Sequence, residues 1–403
     1  MTNQYDVIVL GGGAAGLMSA LTAGQRGLRV LVVEVSRKPG KKILMSGGGK
    51  CNFTNLDIQP HHFICKNPHF VKSALSQYTQ WDFIAMVDRH GIRYREKSHG
   101  QLFCESSAKD ILRMLTTECQ SAGVKILPDC GVGYVQALSQ DTQTDGFTIE
   151  SNQGRFCCRN LVVATGGLSI PTLGGATGFG YEIAQQFGLS ISQREASLVP
   201  MTLTGKWHDL SHAISGVSVP VTASVETKAF RESMLFTHRG LSGPSILQLS
   251  NYWHLGEQIV IDLLPEMSCE DILLGFKSDH AQKTIFSALS EVLPKSLLQE
   301  LSSHWWPDDI NTPLQEFKKA ELRRIAGLFH HWEITPSGTE GYRTAEVTRG
   351  GVAVDKISSR TMEVEGVSGL SMVGEVMDVT GHLGGYNFQR AWSSGFVAGM
   401  HVS

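Results

Sequence analysis

Three glycines near the start of the chain have the spacing of a nucleotide-binding turn. Gly11, Gly13 and Gly16 follow directly on the β-rich run at residues 5–10, and a helical pattern comes after them. A second β-rich run then ends in Glu34. Strand, Gly-x-Gly-x-x-Gly turn, helix, strand and acid in this order form the complete dinucleotide-binding fingerprint. The alternative is a glycine-rich turn that has only a packing role.

Each residue of the fingerprint has a mechanical reason. Gly11 permits a tight exit from the strand, Gly13 lets the backbone approach a pyrophosphate, and Gly16 lets the helix lie close to the sheet. The N–H groups that open the helix then face the phosphates. Glu34 is placed to accept hydrogen bonds from ribose hydroxyls and would repel a 2′-phosphate, so the site disfavours NADP. The predicted contacts also include the neighbouring residues Ala14, Ala15 and Val35.

Three glycine-rich segments come from distant parts of the chain. They are a polar loop at residues 38–55, the turn that ends the β-rich run at 161–167, and the pair of turns at 369–375 and 384–387. Polar backbone in such segments indicates a ligand held against the N–H groups. Because one ligand that meets all three must be long, we expect FAD rather than NAD. The alternative is that the later segments are ordinary turns.

Longer strings around these segments resemble one known family. They are PGKKILMSGGGKCNFTN at residues 39–55, LVVATGG at 161–167, FTHRGLSGPSIL at 236–247, VTRGGV at 347–352 and GEVMDVTGHLGGYNFQRAWSSG at 374–395. Together they look like the YhiN/BaiN-like FAD-dependent oxidoreductases, which include enzymes described as aminoacetone oxidases and bile-acid reductases. The resemblance spans residues 5–399. Arg390 departs from the tryptophan or similar residue that is usual in that family.

The resemblance implies an α/β fold of two parts. One is a Rossmann-like FAD-binding domain of the glutathione-reductase type, built from residues 1–194 and 341–403. The other is an inserted substrate or lid domain, residues 195–340, that combines a β-barrel with a small helical piece. The sequence pattern agrees with an insert, because alternating β-branched residues precede a helical stretch. The predicted strands are at residues 216–226, 229–236 and 257–263, and the helices are at about 268–328.

The resemblance also assigns residues to the two ends of FAD. The ADP half would be held by Gly11, Gly13, Gly16 and Glu34. The flavin side would be lined by Lys42, Ser46, Gly48, Gly49, Lys50, Cys51 and Asn52. The pocket would be completed by Thr165, Gly166, Gly167, Gly374, Glu375, Gly385, Tyr386 and Asn387. No catalytic residue is assigned.

A bound flavin would supply redox chemistry, while the protein orients the substrate and tunes the ring. We expect hydride transfer with a small-molecule substrate, and NAD(P)H, if it is used, binds only transiently. The final helix, at about residues 387–400, would direct its positive end at the reduced ring, with Lys50 as a second cation. The alternative roles of Lys50 are a phosphate contact or a solvated side chain. Cys51 has no cysteine partner nearby, which argues against dithiol exchange.

Composition limits the partners and the location. The 403 residues contain 35 Lys and Arg against 38 Asp and Glu, a net charge of −3. This balance, without a basic stripe, argues against a nucleic-acid partner and against membrane docking. No apolar run is long enough for a membrane span. Eight cysteines without Cys-x-x-Cys spacing or a secretion signal favour reduced thiols in the cytoplasm, and no metal site is expected.

Two other functions stay open beside hydride transfer to a small molecule. One is a flavin-binding protein whose redox state controls a partner interaction, with Trp305, Trp306 and the helical part of the insert as the interface. The other is flavin-assisted RNA modification, which the near-neutral charge disfavours. The tryptophans are more typical of core residues.

Overall fold

The chain divides into two compact units. A computed structural model describes residues 3–138, 146–226 and 228–403. The first unit combines Met1–Ala196 with Val347–Ser403, and the second unit is Ser197–Glu346. The second unit therefore lies within the sequence of the first.

The end of the second unit differs from the expected end of the insert. The insert was expected to stop at residue 340, whereas the second unit continues to Glu346. Backbone hydrogen bonds explain the difference, because Glu340 N–H donates to Pro200 O and Glu346 N–H donates to Leu198 O. Residues 341–346 are thus tied to the start of the second unit.

Strands and helices alternate along the first segment of the first unit. Its strands are β1 (Asn3–Leu10), β2 (Val30–Val33), β3 (Asn52–Asn55), β4 (Phe63–Ile64), β5 (Tyr94–Glu96), β6 (Gln101–Cys104), β7 (Lys125–Leu127), β8 (Val132–Ala137), β9 (Phe147–Ser151), β10 (Gly154–Val163) and β11 (Glu195–Ser197). Its helices are α1 (Ala14–Gln25), α2 (Lys41–Gly49), α3 (Phe70–Gln77), α4 (Gln80–Arg89), α5 (Ala108–Ser121) and α6 (Phe179–Gln186).

The second unit has strands first and most of its helices later. Its strands are β12 (Met201–Thr202), β13 (Ser218–Val225), β14 (Lys228–Thr237), β15 (Gly240–Ser242), β16 (Ile259–Asp262), β17 (Trp332–Ile334) and β18 (Gly338–Thr339). Its helices are α7 (Gly205–Ala213), α8 (Pro244–Ser250), α9 (Cys269–Asp279), α10 (Ile285–Leu289), α11 (Lys295–Trp305) and α12 (Lys319–His330). The chain then returns to the first unit with β19 (Val347–Arg349), β20 (Leu370–Met372), β21 (Thr380–Gly381) and α13 (Tyr386–His401).

The central sheet of the first unit is parallel around β1. β1 pairs in parallel with β2 and with β10, and β20 adds to β10 in parallel. β1 and β2 end in buried, Val- and Leu-rich runs, as expected of strands covered on both faces. The carboxyl ends of parallel strands meet at one edge of a sheet. The segments that follow Leu10, Val163 and Met372 therefore come together.

Two segments of the first unit differ from the prediction. The β-rich run expected from residue 161 is only the second half of β10, because β10 pairs with β9 in its first half and with β20 in its second. The polar loop expected at 38–55 is instead helix α2 followed by β3. The Lys, Ile, Leu and Met residues that begin α2 favour a helix, and non-helical backbone angles appear from Ser46 to Gly49.

The last helix, α13, packs closely against α1. A Cβ atom added to Gly395 would lie 2.3 Å from Ala15 O, and one added to Gly399 would lie 2.6 Å from Ser19 O. Glycine is required at such an approach of two helix backbones. The helix of the fingerprint and the last helix of the chain thus share one core.

The chain leaves and re-enters the first unit through paired strands. β11 and β19 form a two-stranded sheet. The Arg349 guanidinium donates to the Glu195 carboxylate beside this pairing. The two crossing points are therefore neighbours in space.

The second unit has its own sheet and core. Its strand order is β17-β16-β13-β14-β15-β12-β18, in which β13, β14 and β16 correspond to the three predicted strands. Among the residues that the structure describes, this hydrogen-bonded order has two ends, so the barrel expected for the insert is not closed by strand pairing. Trp305 and Trp306 are 9% and 2% exposed and belong to the core. The partner interface suggested for these two residues is therefore wrong.

Candidate flavin site

The fingerprint turn leaves one open side. A Cβ atom on Gly11, where φ is +106°, would lie 2.5 Å from Ala164 O, and one on Gly16 would lie 1.9 Å from Gly11 O. A Cβ atom on Gly13 would have no protein atom within 4 Å. Two of the glycines are therefore needed for packing, whereas Gly13 faces free space beside the first turn of α1. That space suits a pyrophosphate, which the N–H groups of a helix start attract.

Glu34, at the end of the neighbouring strand β2, contacts the fingerprint turn. Its side chain is buried, Oε2 accepts a hydrogen bond from Gly12 N–H at 2.8 Å, and Oε1 accepts one from Ser36 N–H at 2.7 Å. Each carboxylate oxygen retains a lone pair for a ribose hydroxyl. Val35 is 49% exposed beside it. The contact with Gly12 gives Glu34 a second role, which the sequence spacing did not indicate.

Ala14 and Ala15 begin α1, and only Ala15 is buried. A Cβ atom on Gly374 would lie 2.8 Å from the Ala15 side chain, so these residues from two distant segments pack directly together. Gly374 has a φ of +70° at the end of β20. Their contact shows how the third glycine-rich segment reaches the fingerprint helix.

Lys42 and Glu375 form an ion pair at the same sheet edge. Lys42 Nζ lies 2.7 Å from Glu375 Oε2 and donates to Ser169 Oγ at 2.6 Å. Glu375 Oε1 accepts a hydrogen bond from Thr348 N–H at 3.0 Å. Burial raises the pKa of Glu375, but the Lys42 charge and these hydrogen bonds outweigh burial, so the pKa lies below its ordinary value. Both predicted contact residues are thus charged and tied to each other.

The turn after β10 carries a buried hydroxyl without a protein partner. Among the described residues, none hydrogen-bonds to Thr165 Oγ1. Gly166, where φ is +75°, has free space at its Cβ position, whereas a Cβ atom on Gly167 would lie 2.6 Å from Glu375 Oε1. A buried hydroxyl usually has a hydrogen-bond partner. An open turn with an unsatisfied hydroxyl fits a polar ligand.

The glycine-rich end of α2 and the residues that follow it present backbone rather than side chains. Gly48 and Gly49 have positive φ and open space at their Cβ positions. Ser46 Oγ donates to Ile43 O, and the Cys51 N–H donates to Ser46 O. The Cys51 side chain is fully buried, and burial raises the pKa of its thiol to about 12. A thiol in this state is a poor nucleophile, so Cys51 contributes structure rather than redox chemistry.

The Lys50 ammonium is bound to the protein. Its Nζ donates to Glu105 O at 2.8 Å and to Ser106 O at 2.7 Å, just before α5. These two carbonyl contacts are an additional role beside the three considered for Lys50. No pattern in the sequence connects Lys50 with carbonyl groups more than fifty residues away.

The side chains at the start of α13 are also held by the protein. A Cβ atom on Gly385 would lie 2.5 Å from Thr54 O. In the amide orientation that satisfies both of its ends, Asn52 Oδ1 accepts from Gly385 N–H at 3.1 Å. Asn387 Nδ2 donates to Gly381 O, and Asn387 Oδ1 accepts from Gly381 N–H.

The remaining predicted residue at this helix start is Tyr386. The centroid of its ring lies 4.5 Å from the centroid of the His62 ring. Gln389 N–H is bonded to Gly385 O within the helix. The N–H groups of a first helical turn have no acceptor inside the helix, and its end carries a partial positive charge. The start of α13 thus offers backbone polarity to an anionic ring edge.

Several site residues have no signal in the sequence pattern. Ser169 and Thr348 complete the ion-pair network, and His62 contacts Tyr386. Arg390 is buried on α13 and donates from Nη1 to Gly374 O at 2.7 Å. Burial lowers the pKa of Arg390 to about 10, and the nearby Glu375 carboxylate opposes that effect. Only Arg390 was distinguished beforehand, as a departure from the family pattern.

The three segments fit FAD. Gly13, Gly166 and the unsatisfied Thr165 hydroxyl follow the parallel strands β1 and β10 at one carboxyl edge of the sheet, and Gly48, Gly49 and the start of α13 offer further open backbone in the first unit. FAD, when bound, would supply hydride transfer. The residues of this chain would hold its phosphates and ribose at the fingerprint and its ring at the later segments.

Two other kinds of site were also sought. Within the described ranges, no three His, Cys, Asp or Glu side chains lie close enough to hold a metal ion. The helices of the described residues include none that is long and apolar enough to cross a membrane.

Comparisons with known proteins agree with the geometry. The family model described as the HI0933-like protein Rossmann domain matches residues 5–401. Two relatives named ribosomal RNA dihydrouridine synthase, from Haemophilus influenzae and Escherichia coli, are each 47% identical. The first match covers 100% of both chains, and the second covers 99% of this chain and 98% of the relative.

A more distant relative and a solved structure extend the comparison. The 3-dehydro-bile acid delta(4,6)-reductase of Clostridium scindens is 29% identical over 97% of each chain. The structure of 3-ketosteroid delta1-dehydrogenase from Sterolibacterium denitrificans has a TM-score of 0.51, with 14% identity, over 100% of this chain and 99% of that one. At that identity the likeness concerns the fold alone.

Proposed function

The chain belongs to the family of the HI0933-like protein Rossmann domain and is an FAD-dependent oxidoreductase, and we propose that it reduces uridine to dihydrouridine in ribosomal RNA. The observation that carries the proposal is the 47% identity, over essentially the whole chain, to two proteins that are named for this activity. That name stands against the expectation that the chain has no nucleic-acid partner.

The chemistry of the proposed reaction is that of a conjugated double bond. The C5=C6 bond of uracil is conjugated with the C4 carbonyl, so a hydride adds at C6 and a proton adds at C5. The relative from Clostridium scindens is named a reductase of a keto bile acid. A common flavin site could therefore serve both substrates, with the substrate-binding surface changed.

Two sequence properties disfavour RNA, the near-neutral net charge and the absence of a basic stripe along the chain. A net charge of −3 does not exclude a local group of cations on one face.

The electron source in the proposal is NADH or NADPH, which gives a hydride to the flavin and leaves before RNA binds. This order agrees with the expected transient use of a nicotinamide nucleotide.

The test uses the FAD-loaded protein, NADH or NADPH, and unmodified ribosomal RNA transcribed in vitro under anaerobic conditions. We expect mass spectrometry of the digested RNA to show uridine with two added hydrogens, at a rate that depends on protein. A Gly13→Ala variant, argued below to bind FAD more weakly, serves as the control at an FAD concentration that loads only the wild type. The proposal fails if the RNA stays unchanged while steroid enones reoxidise the reduced flavin.

A further inference from the structure

Three cations lie along the exposed edge of the small sheet β3-β6-β5. β5 is the edge strand of this sheet. Arg93 and Lys97 flank it and continue its ladder, since Glu105 N–H donates to Arg93 O and Lys97 N–H donates to Gln101 O. Arg93, Arg95 and Lys97 are all exposed. Alternate residues of a strand point to one face, so these three side chains form a line, named the basic row.

Aromatic contacts show which face the basic row occupies. The Tyr94 ring meets the buried Phe53 ring edge-on, with centroids 5.6 Å apart, so residues on either side of Tyr94 point away from the core. Lys97 Nζ lies 4.0 Å from the Phe103 ring centroid. A Cβ atom on Gly47 would lie 2.7 Å from the same ring. The basic row and the glycine-rich end of α2 therefore lie on the same face of the small sheet, the face that carries Phe103.

Neighbouring carboxylates leave the basic row positively charged. Glu105 Oε2 is 3.9 Å from Arg93 Nε, and the Arg93 side chain is 85% exposed, so solvent screens this contact strongly. Glu96 lies on the opposite face by alternation. Arg95 and Lys97 form no ion pair within the part of the chain that the structure describes. Because Tyr94 and Glu96 separate these cations along the chain, they form no continuous basic stripe in the sequence.

The turn beside the basic row is fastened to the candidate flavin site. Asn55 Nδ2 donates to His99 O and to Gly384 O, both at 2.9 Å. His99 lies in the turn between β5 and β6, and Gly384 precedes the start of α13. A polyanion on the basic row would therefore run toward the end of the site assigned to the flavin ring.

We propose that the basic row binds the backbone phosphates of the single-stranded RNA next to the target uridine. The inference rests on the proposed function. Cations on phosphates position a nucleic acid without reading its sequence. An enzyme that acts on a base takes it from single-stranded nucleic acid or flips it out of a duplex, and the cost of unstacking is least for a base that is already single-stranded.

The test measures RNA affinity rather than turnover. The RNA affinity of the FAD-loaded protein is compared with that of a triple variant, Arg93→Gln, Arg95→Gln and Lys97→Gln, at several salt concentrations. The RNA is labelled, rich in uridine and about 20 nucleotides long, which is about two helical turns if it were paired. Each lost phosphate contact lowers the slope of log affinity against log salt by about 0.7, so three should lower it by about 2. We expect the visible flavin spectrum to stay unchanged.

A matched control changes the net charge equally at other places. It carries Lys125→Gln, Arg155→Gln and Lys356→Gln, all exposed cations outside the basic row. The inference is overturned if the control lowers the slope as much as the triple variant, or if the triple variant keeps the wild-type slope. Salt-sensitive binding of the basic row to phosphatidylglycerol vesicles in place of RNA would also overturn it. If the wild type binds no RNA, the proposed function falls as well.

Discussion

At the scale of single residues, glycines and charged side chains behave differently. The roles of Gly11 and Gly16 follow from local geometry, because an added Cβ atom meets backbone within 2.5 Å. The roles of Lys50 and Glu34 depend on groups that folding brings to them. The positions at which the backbone requires glycine could therefore be predicted from the sequence, whereas the hydrogen-bond partners of charged side chains could not.

Gly13→Ala should separate cofactor binding from folding. The added methyl group meets no protein atom within 4 Å but occupies the space suited to a pyrophosphate. We expect the free energy of unfolding of the FAD-free protein to fall by about 1 kcal/mol at most, as for an unfavourable N-cap. FAD affinity, measured by flavin fluorescence, should fall about tenfold or more, which is ~1.4 kcal/mol.

Gly16→Ala is the comparison for that variant. Its methyl group would lie 1.9 Å from Gly11 O, so this variant should lose stability together with FAD binding. Wild-type FAD affinity in Gly13→Ala would show that the pyrophosphate lies elsewhere.

Lys42→Met should make stability depend differently on pH. The variant leaves the Glu375 carboxylate without its cation. We expect this to lower the free energy of unfolding by about 1–3 kcal/mol at pH 7, and by less where solvent screens the partly exposed Lys42. In the wild type the pKa of Glu375 is lowered, so its stabilisation is present above the ordinary glutamate pKa and is lost as pH falls through the lowered value. The stability difference between the two proteins should thus shrink toward acid pH in urea unfolding.

A second variant identifies the source of that pH dependence. Lys42→Met combined with Glu375→Gln has no carboxylate to titrate at this position. The assignment is contradicted if the difference between wild type and Lys42→Met stays constant from pH 7 to acid conditions.

At the scale of elements, hydrophobic runs and helix formers were informative in different degrees. β1 and β20 follow from apolar runs that lead into glycine turns, and β2 follows from an apolar run that ends in Glu34. α2 was missed because its glycine-rich end and polar residues suggested a loop, although its first five residues favour a helix. The open sheet of the second unit could not be predicted, since strand closure depends on pairings between distant segments.

Gly385→Ala tests how firmly α13 is fixed at its start. Gly385 has a φ of +96°, and a Cβ atom there would lie 2.5 Å from Thr54 O. We expect a loss of about 2 kcal/mol or more of unfolding free energy, since strain and overlap with backbone act together.

Gly188→Ala provides the matched control, with a φ of +77° and no atom within 4 Å. It should cost only about 1–2 kcal/mol, for the left-handed conformation alone. Equal losses in the two variants would remove any role for the contact with Thr54.

At the scale of the whole molecule, a change of sequence pattern marks the near limit of the second unit but not its far limit. The change of pattern near residue 195 agrees with the end of the first segment of the first unit to within a few residues. Its far limit is set by backbone hydrogen bonds of Glu340 and Glu346 to the start of the second unit. Such pairings carry no compositional signal.

FAD should stabilise the first unit by mass action. At a free FAD concentration one hundred times Kd, its free energy of unfolding should rise by about 2.7 kcal/mol. Hydrogen exchange of the β1 and β10 amides reports this unit directly. At the same FAD concentration a tenfold loss of affinity would limit the rise in Gly13→Ala to about 1.4 kcal/mol, and equal protection in both proteins would contradict the site.

The neighbouring strands β11 and β19 have a consequence for descent. Because the polypeptide departs and returns side by side, everything between them is topologically the tip of one hairpin. Two adjacent genetic junctions would suffice to exchange that tip, with no rethreading of the first unit. Recombination at these junctions is therefore a simple route by which a segment of the size of the second unit is replaced while the pairings of the first unit are kept.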